Sequence, residues 1–120
     1  MKSLITILVL ACLMSGCAKL PLDNGAPAVP ELSLSGPPQA NNVAVEVTVD
    51  DPDGDRISLK FIATHSTGAT QDFAWTSFLD SGETEVFYLG LSTGTWTLSA
   101  KAKDEWEEES KARVLEVVVP

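Results

Sequence analysis

The sequence predicts an all-β protein: a seven-stranded Greek-key β-sandwich behind an N-terminal signal peptide and a flexible tether. Three observations predict it. From Leu32 onward apolar residues recur with a period of two, and no segment offers a stripe with the helical period of 3.6. Clusters of Gly, Pro, Asp and Ser interrupt these runs at the spacing expected of short strands. A chain of 120 residues, 44% hydrophobic and 21% charged, has the size and composition of one globular domain, which excludes a disordered chain and a multidomain enzyme. A small barrel is the alternative, because periodicity alone does not separate it from a sandwich.

The first element is an address. Met1-Lys2-Ser3 gives a positive start, Leu4 to Leu13 is apolar apart from Thr6, and the small residues Ser15 and Gly16 precede Cys17. This is a secretory signal layout, and its apolar run is far shorter than the roughly 20 residues that span a bilayer as a helix. Leu13-Met14-Ser15-Gly16-Cys17 resembles the lipobox of bacterial lipoproteins, with Met14 where Leu is usual. The resemblance implies cleavage after Gly16 and acylation of Cys17, so that residues 1–16 are the signal peptide and the membrane is a partner through lipid. Each buried methylene adds about 0.8 kcal/mol, so two or three acyl chains hold a small domain on a membrane. By the same resemblance, Ala18 after the cysteine favours the outer membrane of an envelope. Cys12 falls in the removed segment and Cys17 is blocked by lipid, so no disulfide is expected.

Residues 17–30 follow as a tether, with Pro21, Gly25, Pro27 and Pro30 and few large side chains. The folded part is expected over residues 31–120. Leu32 to Ser35 opens it as an edge strand. Val43, Val45, Val47 and Val49 then alternate with Ala44, Glu46 and Thr48, and Ile57, Leu59, Phe61 and Ala63 with Ser58, Lys60 and Thr64. Phe73, Trp75 and Leu79 read as a shorter strand, Phe87, Leu89 and Leu91 as another. Trp96, Leu98, Ala100 and Ala102 form the sixth, and Leu115, Val117 and Val119 the last. Each pattern is that of a strand with one buried face. The first strand and that around Phe73 to Leu79 are the expected edges, where an added strand can pair.

Val47-Thr48-Val49-Asp50-Asp51-Pro52-Asp53-Gly54-Asp55, then Ser81-Gly82-Glu83-Thr84, then Gly94-Thr95-Trp96-Thr97-Leu98 and Ala100-Lys101-Ala102-Lys103-Asp104-Glu105 resemble the PKD-like and immunoglobulin-like modules of bacterial and archaeal surface proteins. The likeness covers about Ala28 to Pro120 and implies the fold more than the role, since such modules serve as adhesins, spacers and carbohydrate-binding accessories. There are departures from the pattern. Thr64-His65-Ser66-Thr67-Gly68 stands where PKD repeats have an aromatic-Gly-Asp-Gly turn. Trp96 stands where Tyr is common, so the hydroxyl bond of a tyrosine corner is not expected. Trp106 is followed by Glu107 where glycine is usual, a residue that resists a positive φ.

The chemistry on offer is acidic. Eight Lys and Arg against 17 Asp and Glu give a formal charge of -9, which repels phosphate backbones and excludes nucleic acid as a natural partner. Asp50, Asp51, Asp53 and Asp55 crowd one turn, and a second loop carries Asp104, Glu105, Glu107, Glu108 and Glu109. If the first turn joins strands two and three, both loops sit at one end of the sandwich, where calcium is the natural counter-ion. The expected ligands are Asp51, Asp53, Asp55 and Asp104, with Asp50 in reserve. An EF-hand is excluded, since Gly54 comes too early and Ile62 stands where its bidentate Glu belongs. The competing reading is that Asp-Pro-Asp-Gly is good turn chemistry and the glutamates are solvated.

Catalysis finds no support in these residues. His65 is the single histidine, in a polar loop without a nucleophile motif, and no carboxylate pair is singled out for glycoside chemistry. A zinc site lacks ligands. Of the aromatic residues, Trp96 belongs to the core, Trp75 fits either face, and Trp106 in its acidic loop is a candidate for stacking on a sugar. The expected role is a non-catalytic, lipid-anchored envelope module for adhesion to protein or glycan, with a structural spacer or a carbohydrate-binding accessory as the alternatives.

Overall fold

The computed structural model describes residues 25–120. The expected signal peptide, Cys17 and the first part of the expected tether lie outside the described residues. Seven strands follow in order: β1 (Glu31–Leu34), β2 (Val43–Thr48), β3 (Ile57–His65), β4 (Thr70–Asp72), β5 (Thr84–Leu89), β6 (Gly94–Asp104) and β7 (Arg113–Val119). They form two antiparallel sheets, β1-β2-β5 and β4-β3-β6-β7. The chain crosses between the sheets after β2, β4 and β5, which is the sandwich expected from the sequence.

The alternation works as read. Val43, Val45, Val47 and Val49 from one sheet meet Ile57, Leu59, Phe61, Ala63, Leu98, Ala100, Ala102, Val117 and Val119 from the other, all buried. Each Val, Ile, Leu or Phe among them stabilises the fold by about 1.5–3 kcal/mol relative to exposure. Phe61 and Phe87 bridge the layers with ring centroids 5.3 Å apart. Small residues at Ala63, Ala100 and Ala102 leave room for the rings and branched chains opposite.

The fourth strand differs from the sequence reading. Pairing with β3 occurs at Thr70–Asp72, and the stretch from Phe73 to Leu79 only follows the edge of β3. Side chains interrupt the ladder there: the Phe73 and Thr76 amides still donate to the Phe61 and Leu59 carbonyls at 3.1 and 2.9 Å, but the Leu59 amide donates to Thr76 Oγ1 at 2.9 Å, and Ser58 Oγ donates to the Thr76 carbonyl. Leu79 and Ile57 then exchange backbone bonds of 2.8 and 2.7 Å. The sheet edges are therefore β1 and β5 in one layer and β4 and β7 in the other.

The packed body also reaches back past Glu31. Pro27 and Pro30 are buried without being strand. The Ala28 amide donates to the Asp50 carbonyl at 2.9 Å, and Arg113 Nε donates to the Pro30 carbonyl at 3.0 Å.

Candidate metal centre

The register of β3 on β6 builds the site. Ile57 lies opposite Asp104, so the start of β3 and the end of β6 are neighbours, and the loops that precede one and follow the other share an end. The segment 80–83 closes the third side: Ser81 Oγ accepts the Asp51 amide at 2.8 Å and donates to Asp50 Oδ1 at 2.9 Å. A carboxylate oxygen from each of Asp51, Asp55 and Asp104 lies within 4.8 Å of the others.

Both buried aspartates organise their own loop. Asp51 Oδ1 accepts the amides of Asp53 at 2.8 Å and Asp55 at 3.3 Å. Asp104 Oδ1 accepts those of Trp106 at 2.8 Å and Glu108 at 3.0 Å. Side chains that capture amides two and four residues on make the backbone curl around them. The third residue after each aspartate takes a positive φ, 76° at Gly54 and 68° at Glu107. Glu107 thus adopts the conformation that its side chain was expected to resist. The two amides held by Asp104 fix the curl, and an ion pair with Lys103 at 3.4 Å holds its carboxylate. Across the top, Arg56 ties the loops together through Nη2 and its own amide, 2.8 and 3.1 Å from the Glu105 carboxylate.

Asp51 is 4% exposed and Asp104 0%. Burial pushes the Asp51 carboxyl up from its ordinary range, with Asp55 and Asp104 adding to the rise and the two amides on Oδ1 opposing it. Its Oδ2 is buried and has no hydrogen-bond partner among the described residues. Two oxygens on one calcium ion, each at 2.3–2.6 Å, are at most about 5 Å apart, so the carboxylate separation fits a shared cation. Asp50 and Asp53 stand outside the group: Asp50 receives Ser81, and exposed Asp53 accepts the Gly25 amide at 2.6 Å. The glutamates at 105, 107, 108 and 109 are exposed.

No family model and no curated protein matches this chain. Among solved structures it is similar to the PKD domain of an M14-like peptidase from Thermoplasmatales archaeon SCGC AB-540-F20, at 28% identity and a TM-score of 0.65, over 81% of this chain and 98% of that one. The sandwich has the fold of that PKD domain.

Within that PKD-like frame the departures noted in the sequence acquire structure. Trp96 is buried at the opposite end, and its indole Nε1 donates to the Ser92 carbonyl at 2.8 Å, a bond made without a hydroxyl. His65 closes β3 beside it, with ring centroids 4.9 Å apart edge to face, and its Nδ1 lies 2.8 Å from Thr67 Oγ1. It is a structural residue of the turn that replaces the aromatic-Gly-Asp-Gly motif. Trp106 is 42% exposed, while Trp75 is half-buried under Lys103, whose Nζ lies 4.3 Å from the ring centre.

Proposed function

We propose that this chain is a non-catalytic binding or adhesion module, fastened by lipid at Cys17 to a bacterial envelope, whose PKD-like domain takes calcium between Asp51, Asp55 and Asp104. The observation that carries the calcium reading is the buried Asp51 Oδ2, which lacks a hydrogen-bond partner in a carboxylate grouped with those of Asp55 and Asp104. A buried, uncompensated carboxylate is costly, and a divalent cation removes that cost. Backbone oxygens and water complete the six to eight ligands calcium takes. The lipobox at Leu13 to Cys17 carries the anchor. Its placement in the outer membrane rests on Ala18.

The test has two arms. Expressed from its full sequence in a bacterial host, the chain incorporates labelled palmitate, and its N-terminal peptide has the mass of an acylated Cys17. Thermal melts of the product in millimolar calcium then exceed those in chelator by several degrees. An unlabelled precursor removes the anchor, and identical melts remove the metal.

A carbohydrate-binding reading is favoured by one observation, the exposure of Trp106 beside the acidic centre. Under it, Trp106→Ala abolishes retention on a glycan array. If binding is to protein instead, the same variant leaves an envelope pull-down unchanged.

A further inference from the structure

The chain enters the domain at the acidic end and is held there. The Gly25 amide donates to Asp53 Oδ2 at 2.6 Å, the Ala28 amide to the Asp50 carbonyl at 2.9 Å, and Pro27 and Pro30 are buried between and beyond these bonds. Gly25 lies so close that a β-carbon on it stands 3.4 Å from the ring of Pro52. Both acceptors belong to the loop that Asp51 curls, so the same turn that presents Asp51 and Asp55 to each other presents Asp53 to the incoming chain.

The contacts shorten the leash. Cys17 precedes Gly25 by eight residues and Pro30 by thirteen. At 3.3–3.6 Å per residue the held chain reaches about 29 Å at most, against about 47 Å if it were free to Pro30. The body itself is longer than the held leash: β6 has 11 residues and runs from one end to the other, about 36 Å. The far end carries the loops 35–42, 66–69 and 90–93, which contain no Asp, Glu, Lys or Arg.

We propose that Gly25–Pro30 is a clasp, closed on Asp50 and Asp53, that keeps the acidic end next to the membrane anchor and the uncharged end outward as the displayed surface. The orientation rests on the reading of Cys17 as the lipid anchor; the clasp does not. Capture of the Gly25 amide by Asp53 gives that carboxylate a role apart from the cation, which explains why it turns away from Asp51 and Asp104. A charged acceptor bonds a backbone amide more strongly than a neutral one, so the carboxylate suits a clasp on an otherwise exposed strand of chain.

The test separates the two parts. In the full-length product, hydrogen exchange at the Gly25 amide is expected to be at least tenfold slower than in Asp53→Ala, with Asp53→Asn in between because an acceptor oxygen remains. Equal exchange in wild type and Asp53→Ala overturns the clasp, and the exposed position of Asp53 means that neither variant threatens the fold. For orientation, Glu108→Cys and Ala40→Cys put a lone labelling thiol at the acidic and uncharged ends of the acylated protein. In vesicles containing nitroxide-headgroup lipid, the fluorophore at 108 is expected to be quenched several-fold more than that at 40. Asp53→Ala narrows the difference. Equal quenching of an acylated protein overturns the orientation. Protected amides with an unacylated Cys17 uphold the clasp and overturn the orientation through its anchor.

Discussion

The loops after β2 and after β6 are the same structure written in two ways. In each, a buried aspartate accepts the amides two and four residues ahead, and the residue three ahead has a positive φ. After Asp51 that third residue is Gly54; after Asp104 it is Glu107. The first loop meets its backbone demand with the residue that meets it freely, and the second through hydrogen bonds that hold a costly conformation in place. Asp51 has one oxygen buried without a hydrogen-bond partner and a raised carboxyl pKa, whereas the neighbouring Asp104 sits at the end of the longest strand. One pattern therefore serves mainly to build a loop and the other leaves a group in want of a ligand.

Removing each aspartate separates these roles with the largest effect. Asp104→Ala leaves the part-buried Trp106 and Glu108 amides without their acceptor and removes the two bonds that hold Glu107 in its positive-φ conformation. A loss of about 2–4 kcal/mol is expected, since each orphaned group costs about 1–3 kcal/mol. For a domain of this size that lowers the melting temperature by more than 10 °C. Asp104→Asn keeps an acceptor and is expected to recover most of the loss. Equal destabilisation by Ala and Asn in chelator would show that the amides are not what Asp104 serves.

Asp51→Asn inverts the sign. The Oδ1 acceptor survives, while the new amide group replaces the bare Oδ2 and can donate to Asp55 or Asp104. In chelator the variant is expected to melt above wild type. In calcium the order reverses, because a cation at a hundred times its dissociation constant stabilises by about 2.7 kcal/mol and the variant has lost a ligand. Scanning calorimetry of both proteins in both buffers reads the crossing. Two parallel curves would remove calcium from the centre.

The strands were legible because burial on one face of a sheet writes itself with a period of two. Val43 to Val49 and Ile57 to Ala63 needed nothing else. The stretch from Phe73 to Leu79 misled because alternating aromatics imitate a strand, while the hydroxyls of Ser58 and Thr76, which divert the ladder, look like ordinary surface residues. The acidic end was legible as composition and only partly as geometry. Counting carboxylates places Asp50 and Asp53 beside Asp51, but a curl around one side chain sends its neighbours outward. Asp-x-x-Gly at 51–54 and Asp-x-x-Glu at 104–107 share their spacing, and Glu107 hid the likeness by standing where the glycine belongs.

Exchanging the third residues tests the comparison directly. Gly54→Ala is expected to cost about 1–2 kcal/mol through a β-carbon in the left-handed region, although nothing within 4 Å opposes it sterically. Glu107→Gly is expected to stabilise by several tenths to about 1 kcal/mol, less the weak exposed ion pair to Lys103. Denaturant midpoints measure both. If Glu107→Gly destabilises as much as Gly54→Ala, the Glu107 side chain contributes more than its backbone costs, and the two loops are not equivalent.

The smallest effect is on pH, and its direction is unusual for an aspartate. Burial raises the Asp51 carboxyl in the folded protein above the unfolded value of about 3.9. Between these two values the folded state holds more protons than the unfolded one, so stability falls as pH rises through the window. Its contribution is fully present below the unfolded value and lost above the folded one. Other carboxylates act oppositely: Lys101 lowers Glu109 by a hydrogen bond, so that group stabilises above its unfolded value and loses its effect on acidification. The difference between wild type and Asp51→Asn isolates Asp51. In chelator, acidification from neutrality toward pH 4 is expected to bring the wild-type melting temperature closer to that of the variant. Millimolar calcium, which competes with the proton for the same oxygens, removes that convergence. A gap that widens on acidification in chelator would mean that Asp51 is held ionised in the fold and that burial does not govern its carboxyl.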